Sequence, residues 1–182
     1  MTSKRLDGLK IVLVIAPDQY RDEELTIPQK AFLDEGAQVS VASTSLGEAK
    51  GMLGGTTQVD VLISNVLADD VDCAIVVGGM GSPEFLWENQ SLHALLKNLN
   101  SQGKAIGAIC LSSAVLARAG VLSGKKATVY STPDSLKALQ DGKATYVDSS
   151  VIQDGRIITA DGPPAAQEFA ETIIKELAKV KV

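Results

Sequence analysis

A three-layer α/β sandwich on a central, mostly parallel sheet is the fold this sequence predicts, and three observations predict it. Continuous apolar runs rich in β-branched residues recur at 9–15, 73–77 and 104–109, the pattern of strands covered on both faces. Between them lie segments with apolar residues at helical spacing, as crossover connections require. Hydrophobic residues make up 45% of the chain and aromatics only 4%, so the core is aliphatic, which suits a buried parallel sheet. The 182 residues are expected to form one domain, 1–182, because a chain of about 150 residues already hides about two-thirds of its unfolded surface.

Residues 9–15 (LKIVLVI) read as the first central strand, stopped by Pro17. Asp22, Glu23 and Glu24 then give an acidic first turn, and Leu25, Ile27, Phe32 and Leu33 carry a helix to Gly36, with a bend expected at Pro28. Residues 38–42 (QVSVA) form a second strand, and the glycine-rich stretch 47–55 with 59–63 reads as a hairpin excursion without evident chemistry. Residues 73–77 (CAIVV) are a third strand running into Gly78-Gly79-Met80-Gly81, where missing side chains let backbone approach a ligand.

Residues 89–100 form a helix with Leu92, Leu95, Leu96 and Leu99 on its inner face, and 104–109 (KAIGAI) form the next strand. After Cys110 a short helix with Val115 and Leu116 ends at Gly120. Residues 126–130 (KATVY) read as a strand and 134–139 as helical. Asp154-Gly155 signals a hairpin between 151–153 and 156–160, and Phe169, Ile173, Ile174 and Leu177 mark a terminal amphipathic helix. The order is flavodoxin-like.

The formal charge of −5 and the lack of a Lys/Arg block argue against nucleic acid as a partner. The apolar run 11–15 is far too short for a signal-peptide core or a membrane span, so a cytoplasmic protein without membrane partners is expected. Two cysteines occur, Cys73 and Cys110, neither in a CxxC pair nor beside histidine; no metal or other cofactor is expected. Cys73 opens an apolar strand and reads as structural.

Cys110 reads differently. In Ala108-Ile109-Cys110-Leu111-Ser112 a nucleophile sits between strand and helix with small residues two before and two after, as a nucleophile elbow requires. The helix N-terminus would then favour thiolate over thiol. The competing reading is a small buried hydrophobe. Ligands of parallel sheets bind at the carboxyl ends of strands, so the loops after Ile15, Val77 and Ile109 should converge. An acid from 18–24 turned inward would share a proton with the sulfur; otherwise these acids complement the helix dipole. Backbone donors for a developing anion would come from Gly78, Gly79 and Leu111, unless the glycines serve only a tight turn.

Together these residues resemble the superfamily of PfpI-type intracellular peptidases, the parkinsonism-associated deglycase and glyoxalase III proteins, and glutamine-amidotransferase-like domains. The resemblance rests on Glu24-Leu25-Thr26-Ile27-Pro28, Val77-Gly78-Gly79, Ala108-Ile109-Cys110, Ala119-Gly120-Val121-Leu122, Gly124-Lys125-Lys126-Ala127-Thr128, Gly162-Pro163 and Glu168-Phe169-Ala170. It implies that Cys110 is the nucleophile, that a protonated Glu24 contacts it, that the Gly79 and Leu111 amides form an anion pocket, and that the protein is a homodimer. Tyr130, Ser112 and Pro163 are further candidates for the pocket wall.

The chain also departs from that pattern. Leu111 follows the cysteine where the peptidase branch has histidine, and the single histidine, His93, falls in the 89–100 helix, where a surface position is expected. A Cys-His pair within one chain is thus not expected, and peptidase activity is the weaker expectation. Tyr130 stands where deglycase-like relatives have histidine, as a neutral donor or a strand-end aromatic. Ser112 and Ser113 bind a substrate oxygen or cap the helix, capping being favoured for at least one. The expected function is a cysteine-dependent enzyme acting on small reactive carbonyls of the methylglyoxal type, as glyoxalase III or a deglycase. The alternatives are a redox-sensing or chaperone-like stress protein using the same cysteine, or a scaffold that has lost its chemistry.

Overall fold

Val12, Leu13 and Val14, like Ala74, Ile75 and Val76, have no side-chain access to water, and strands with two apolar faces pair side by side under helices. The computed structural model describes residues 3–179 and arranges them as β1 (Lys10–Val14), β2 (Asp18–Tyr20), α1 (Asp22–Asp34), β3 (Gln38–Ser43), β4 (Gly47–Gly51), β5 (Thr56–Val59), β6 (Val61–Leu62), β7 (Cys73–Val76), α2 (Ser82–Phe85), α3 (Gln90–Ser101), β8 (Ala105–Ile109), α4 (Ser113–Arg118), β9 (Lys126–Ala127), α5 (Pro133–Asp141), β10 (Thr145–Tyr146), β11 (Val151–Asp154), β12 (Ile157–Ala160) and α6 (Ala166–Ala178).

Seven strands form the central sheet in the order β11-β12-β8-β7-β1-β3-β6. All neighbours are parallel except the β11–β12 hairpin at one edge. In register, Leu13 lies between Val41 and Ile75, and Ala108 between Val76 and Thr159. Helices α1 and α6 pack together on one face; α3 and α4 cover the other, with α5 against α4. On the α6 side, a methyl group at Gly107 would meet Ile75, Phe169 and Ile173 at 2.9–3.1 Å, so glycine is what lets the helix lie this close.

Strands β1, β7 and β8 are adjacent, so their carboxyl-end loops, 15–21, 77–81 and 110–112, emerge side by side. A three-stranded sheet, β2-β4-β5, rises beside the first of these loops. The excursion expected over 47–63 is there, but Val61 and Leu62 leave the hairpin and join the edge of the main sheet.

Other expectations are corrected. His93 is only 6% exposed, and its Nε2 lies 2.7 Å from the Trp87 carbonyl oxygen, so a polar partner holds it on the buried side of α3. The strand expected over 126–130 is regular only at Lys126–Ala127 and pairs with β10 rather than with the central sheet. Beyond it the Thr128 amide donates to the Thr159 hydroxyl at 3.0 Å and the Tyr130 amide to the Cys110 carbonyl at 3.1 Å, so no strand ladder continues. Pro28, where a bend is expected, lies inside α1, which continues to Asp34.

Candidate functional site

Cys110 sits at the first residue past β8 with φ +62°, a left-handed conformation costing a non-glycine residue roughly 1–2 kcal/mol. Hydrogen bonds on every side hold it there. The Tyr130 amide donates to the Cys110 carbonyl at 3.1 Å, and the Trp87 indole N–H donates to the Leu111 carbonyl at 3.0 Å. The Ser112 hydroxyl donates to the Val77 carbonyl and accepts from Ser82, both at 2.7 Å. Strain at this turn aims the side chain off the sheet, the geometry of an elbow.

Ser112 is therefore a buried strut under the elbow and not a wall of the cavity. Neither serine caps α4: Ser112 makes no side-chain cap, and the buried Ser113 hydroxyl has no partner among the described residues. The reason is local, because residues 110–112 form a 3-10 turn first and α4 begins only at Ser113.

The glycine loop is packed too tightly for side chains. A Cβ on Gly78 would lie 2.5 Å from Glu24 Oε1, 2.6 Å from Cys110 Cβ and 2.7 Å from the Ile109 carbonyl. Gly79, at φ +114°, would meet the Gln19 carbonyl and the Arg21 amide at 2.4 and 2.5 Å. The two glycine amides have different tasks. Gly78 donates to Glu24 Oε1 at 3.0 Å, so it is not free for the anion pocket expected of it. The Gly79 and Leu111 amides favour the ionised form of the Cys110 thiol.

Glu24, in the first turns of α1, is fully buried. Its Oε2 has no hydrogen-bond partner among the described residues. Pro28, four residues on in α1, has no N–H to give the Glu24 carbonyl, so the helical ladder lacks one bond at the acid. Burial pushes the Glu24 carboxyl up to about 8, against the pull of the Gly78 amide, the Cys110 thiol and the Arg21 charge. Burial, then the Glu24 charge, push the Cys110 thiol up to about 12, and the Leu111 and Gly79 amides pull it back.

A standing thiolate, expected from the helix terminus, is thus opposed by desolvation of the sulfur. The two groups lie together and disfavour a second negative charge. Their first proton leaves near pH 8 and the other is retained far longer, on oxygen or on sulfur. Cys73 is sealed in β7, and burial pushes its thiol strongly upward, as a structural cysteine's would be.

Above Cys110 opens a cavity of about 130 Å³ lined by Arg21, Met52, Gly79, Met80, Cys110, Leu111, Tyr130 and Pro163. Tyr130 is half exposed and Cys110 is 7% exposed, so the sulfur is reached through a narrow mouth. Met52 arrives on the hairpin loop. Asp22 accepts from the Leu53 and Gly55 amides at 2.8 Å each, and the Met80 amide donates to the Met52 sulfur at 3.3 Å. A neighbouring cavity of about 340 Å³ shares Tyr130 and Pro163. A larger one, of about 420 Å³, lies at the amino ends of β1 and β3, away from the sulfur.

Arg21, Met52 and Met80 are the wall residues that sequence reasoning missed. For Arg21 a signal existed, a lone cation beside the Asp22-Glu23-Glu24 run; for Met52 none did, since only the fold brings the hairpin over the site. No group of three or more His, Cys, Asp or Glu side chains placed to hold a metal occurs among the described residues, and no described helix is long and apolar enough to cross a membrane.

The model of the DJ-1/PfpI family matches residues 10–176. An uncharacterised protein of Methanocaldococcus jannaschii is 43% identical over 176 residues, covering 97% of this chain and 86% of its own. A deglycase of Pyrococcus abyssi is 31% identical over 166 residues, covering 91% and 98%. Among solved structures, a ThiJ/PfpI domain protein from Brachyspira murdochii superimposes with a TM-score of 0.88 at 29% identity, over 93% of this chain and 96% of the other.

Proposed function

This chain belongs to the DJ-1/PfpI family, and from that premise we propose that it is a cysteine-dependent enzyme acting on small reactive carbonyl compounds, in the manner of a deglycase or glyoxalase. The observation that carries the reading is a strained, narrowly accessible Cys110 beside a buried Glu24 whose Oε2 has no hydrogen-bond partner among the described residues. Relatives named deglycases at about 30% identity, from Pyrococcus abyssi and Thermococcus kodakarensis, support it.

In this reading the carboxyl of Glu24, protonated below about pH 8, acts as a relay, taking the thiol proton and giving up its own as sulfur attacks the carbonyl carbon. The C=O π pair moves to oxygen, which takes a proton from the carboxyl and leaves a hemithioacetal. The Gly79 and Leu111 amides stabilise negative charge, first on sulfur and then beside it. Tyr130 supplies a hydroxyl at the cavity wall. His93, tied to the Trp87 carbonyl on α3, takes no part, so a cysteine-histidine peptidase mechanism has no histidine to use.

The test is conversion of methylglyoxal to lactate by the wild-type protein and by Cys110→Ser. Turnover should be abolished in the variant. Equal rates in the two proteins would remove the proposal.

A further inference from the structure

We propose that Arg21 selects, for the Cys110 cavity, electrophiles that carry a carboxylate next to the reactive carbonyl: 2-oxo carboxylates of two or three carbons. The inference deepens the carbonyl-enzyme reading and rests on it.

The wall of the cavity is otherwise apolar or neutral, with Met52, Met80, Leu111, Pro163 and Tyr130, and Arg21 is the one permanently charged side chain in it. Glu23 occupies one edge of its guanidinium, accepting from Nε at 2.8 Å and from Nη2 at 3.1 Å. Nη1 has no hydrogen-bond partner among the described residues. A guanidinium with one edge spent still offers a second two-donor edge, and that edge matches a carboxylate.

The backbone of Arg21 is also fixed, because its amide donates to the Gly78 carbonyl at 3.0 Å. The arginine is thereby anchored to the loop that orients Glu24. Size agrees with chemistry: a cavity of about 150 Å³ accommodates benzene, with six heavy atoms, so about 130 Å³ suits a molecule of roughly five, which is the size of glyoxylate.

With such a compound, sulfur bonds to the carbonyl carbon and the C=O π bond opens. The thiol proton travels through Glu24 to the new alkoxide. Nothing leaves and no redox change occurs, and the carboxylate stays ionised against Arg21 throughout.

Iodoacetate and iodoacetamide, nearly equal in size and different in charge, separate this inference from the reading beneath it. The quantity read is the ratio of their alkylation rate constants at Cys110, resolved by peptide mass mapping. Arg21→Gln should lower the iodoacetate-to-iodoacetamide ratio about tenfold, the worth of one charge-assisted contact. Glu23→Gln, which releases the occupied edge, should raise it, an effect a merely structural arginine would not produce.

A ratio unchanged in both variants, in proteins whose Cys110 still reacts with iodoacetamide, would overturn the role of Arg21 alone. Inertness of wild-type Cys110 to both reagents would overturn the nucleophile reading and this inference with it.

Discussion

The amide of Gly78 donates to Oε1 of Glu24 across 3.0 Å, so the loop after β7 decides where a carboxyl from α1 is held beside Cys110. Three separate segments of chain meet at that contact.

The first prediction follows from how little room the contact leaves. In Gly78→Ala the new methyl would fall 2.7 Å or less from Glu24 Oε1, Cys110 Cβ and the Ile109 carbonyl, and the carbonyl is backbone that cannot swing away. Overpacking of this kind costs about 1–3 kcal/mol. Chemical denaturation should register that loss, together with slower alkylation of Cys110; a variant of wild-type stability and reactivity would refute the packing argument.

Proton transfer can be separated from nucleophilicity by Glu24→Gln. Iodoacetamide needs no proton delivered to it, so alkylation of Cys110 at pH 7 should change little. Turnover of a carbonyl substrate, which does need the proton, should fall about 100-fold or more. Equal losses in both assays would mean that Glu24 only shapes the site.

The pH profile of alkylation carries a signature of the pair. Below about 8 the carboxyl is protonated and the rate should rise tenfold per pH unit. Near 8 Glu24 ionises, its charge opposes the thiolate, and the wild-type profile should level off. Glu24→Gln should continue upward without that break, toward the high thiol pKa that burial alone maintains.

Stability should follow the same group. Glu24 is raised from 4.5 to about 8 in the folded protein, so the native state binds more protons than the unfolded chain between these values. The contribution is fully present below 4.5 and is lost as pH rises through about 8. Urea unfolding at pH 5 and pH 8.5 should show the wild type losing more stability over the interval than Glu24→Gln; parallel losses would disprove the linkage.

Ser112→Ala tests the strut beneath the elbow. Removing the hydroxyl strands the Val77 carbonyl and the Ser82 hydroxyl, at a cost of about 1–3 kcal/mol. Turnover should survive at temperatures where the variant is folded, because Ser112 is outside the cavity wall. Lost turnover at unchanged stability would instead place the hydroxyl on the substrate.

Much of this architecture is legible in the amino-acid order because parallel strands buried on both faces write themselves as uninterrupted apolar runs. Lys10–Val14, Cys73–Val76 and Ala105–Ile109 differ from the expected spans by a residue or so at an end. Cys110 stood out because an elbow demands small neighbours in the chain itself. What escaped notice depends on contacts between distant residues. His93 is buried through a carbonyl six residues earlier, and residues 128–130 were drawn out of a strand by Thr159 and Cys110. The balance between amides and desolvation at the sulfur is equally invisible in a local pattern, since it needs the whole lid of the site.

That lid has a consequence for how such a protein diversifies. Met52 is brought to the entrance by a loop that Asp22 grips through the Leu53 and Gly55 amides, on a small sheet separate from the seven central strands. The gatekeeping element and the foundation are thus written in different stretches of chain. Inherited changes in the hairpin can retune which molecules are admitted while the engine room beneath keeps its wiring.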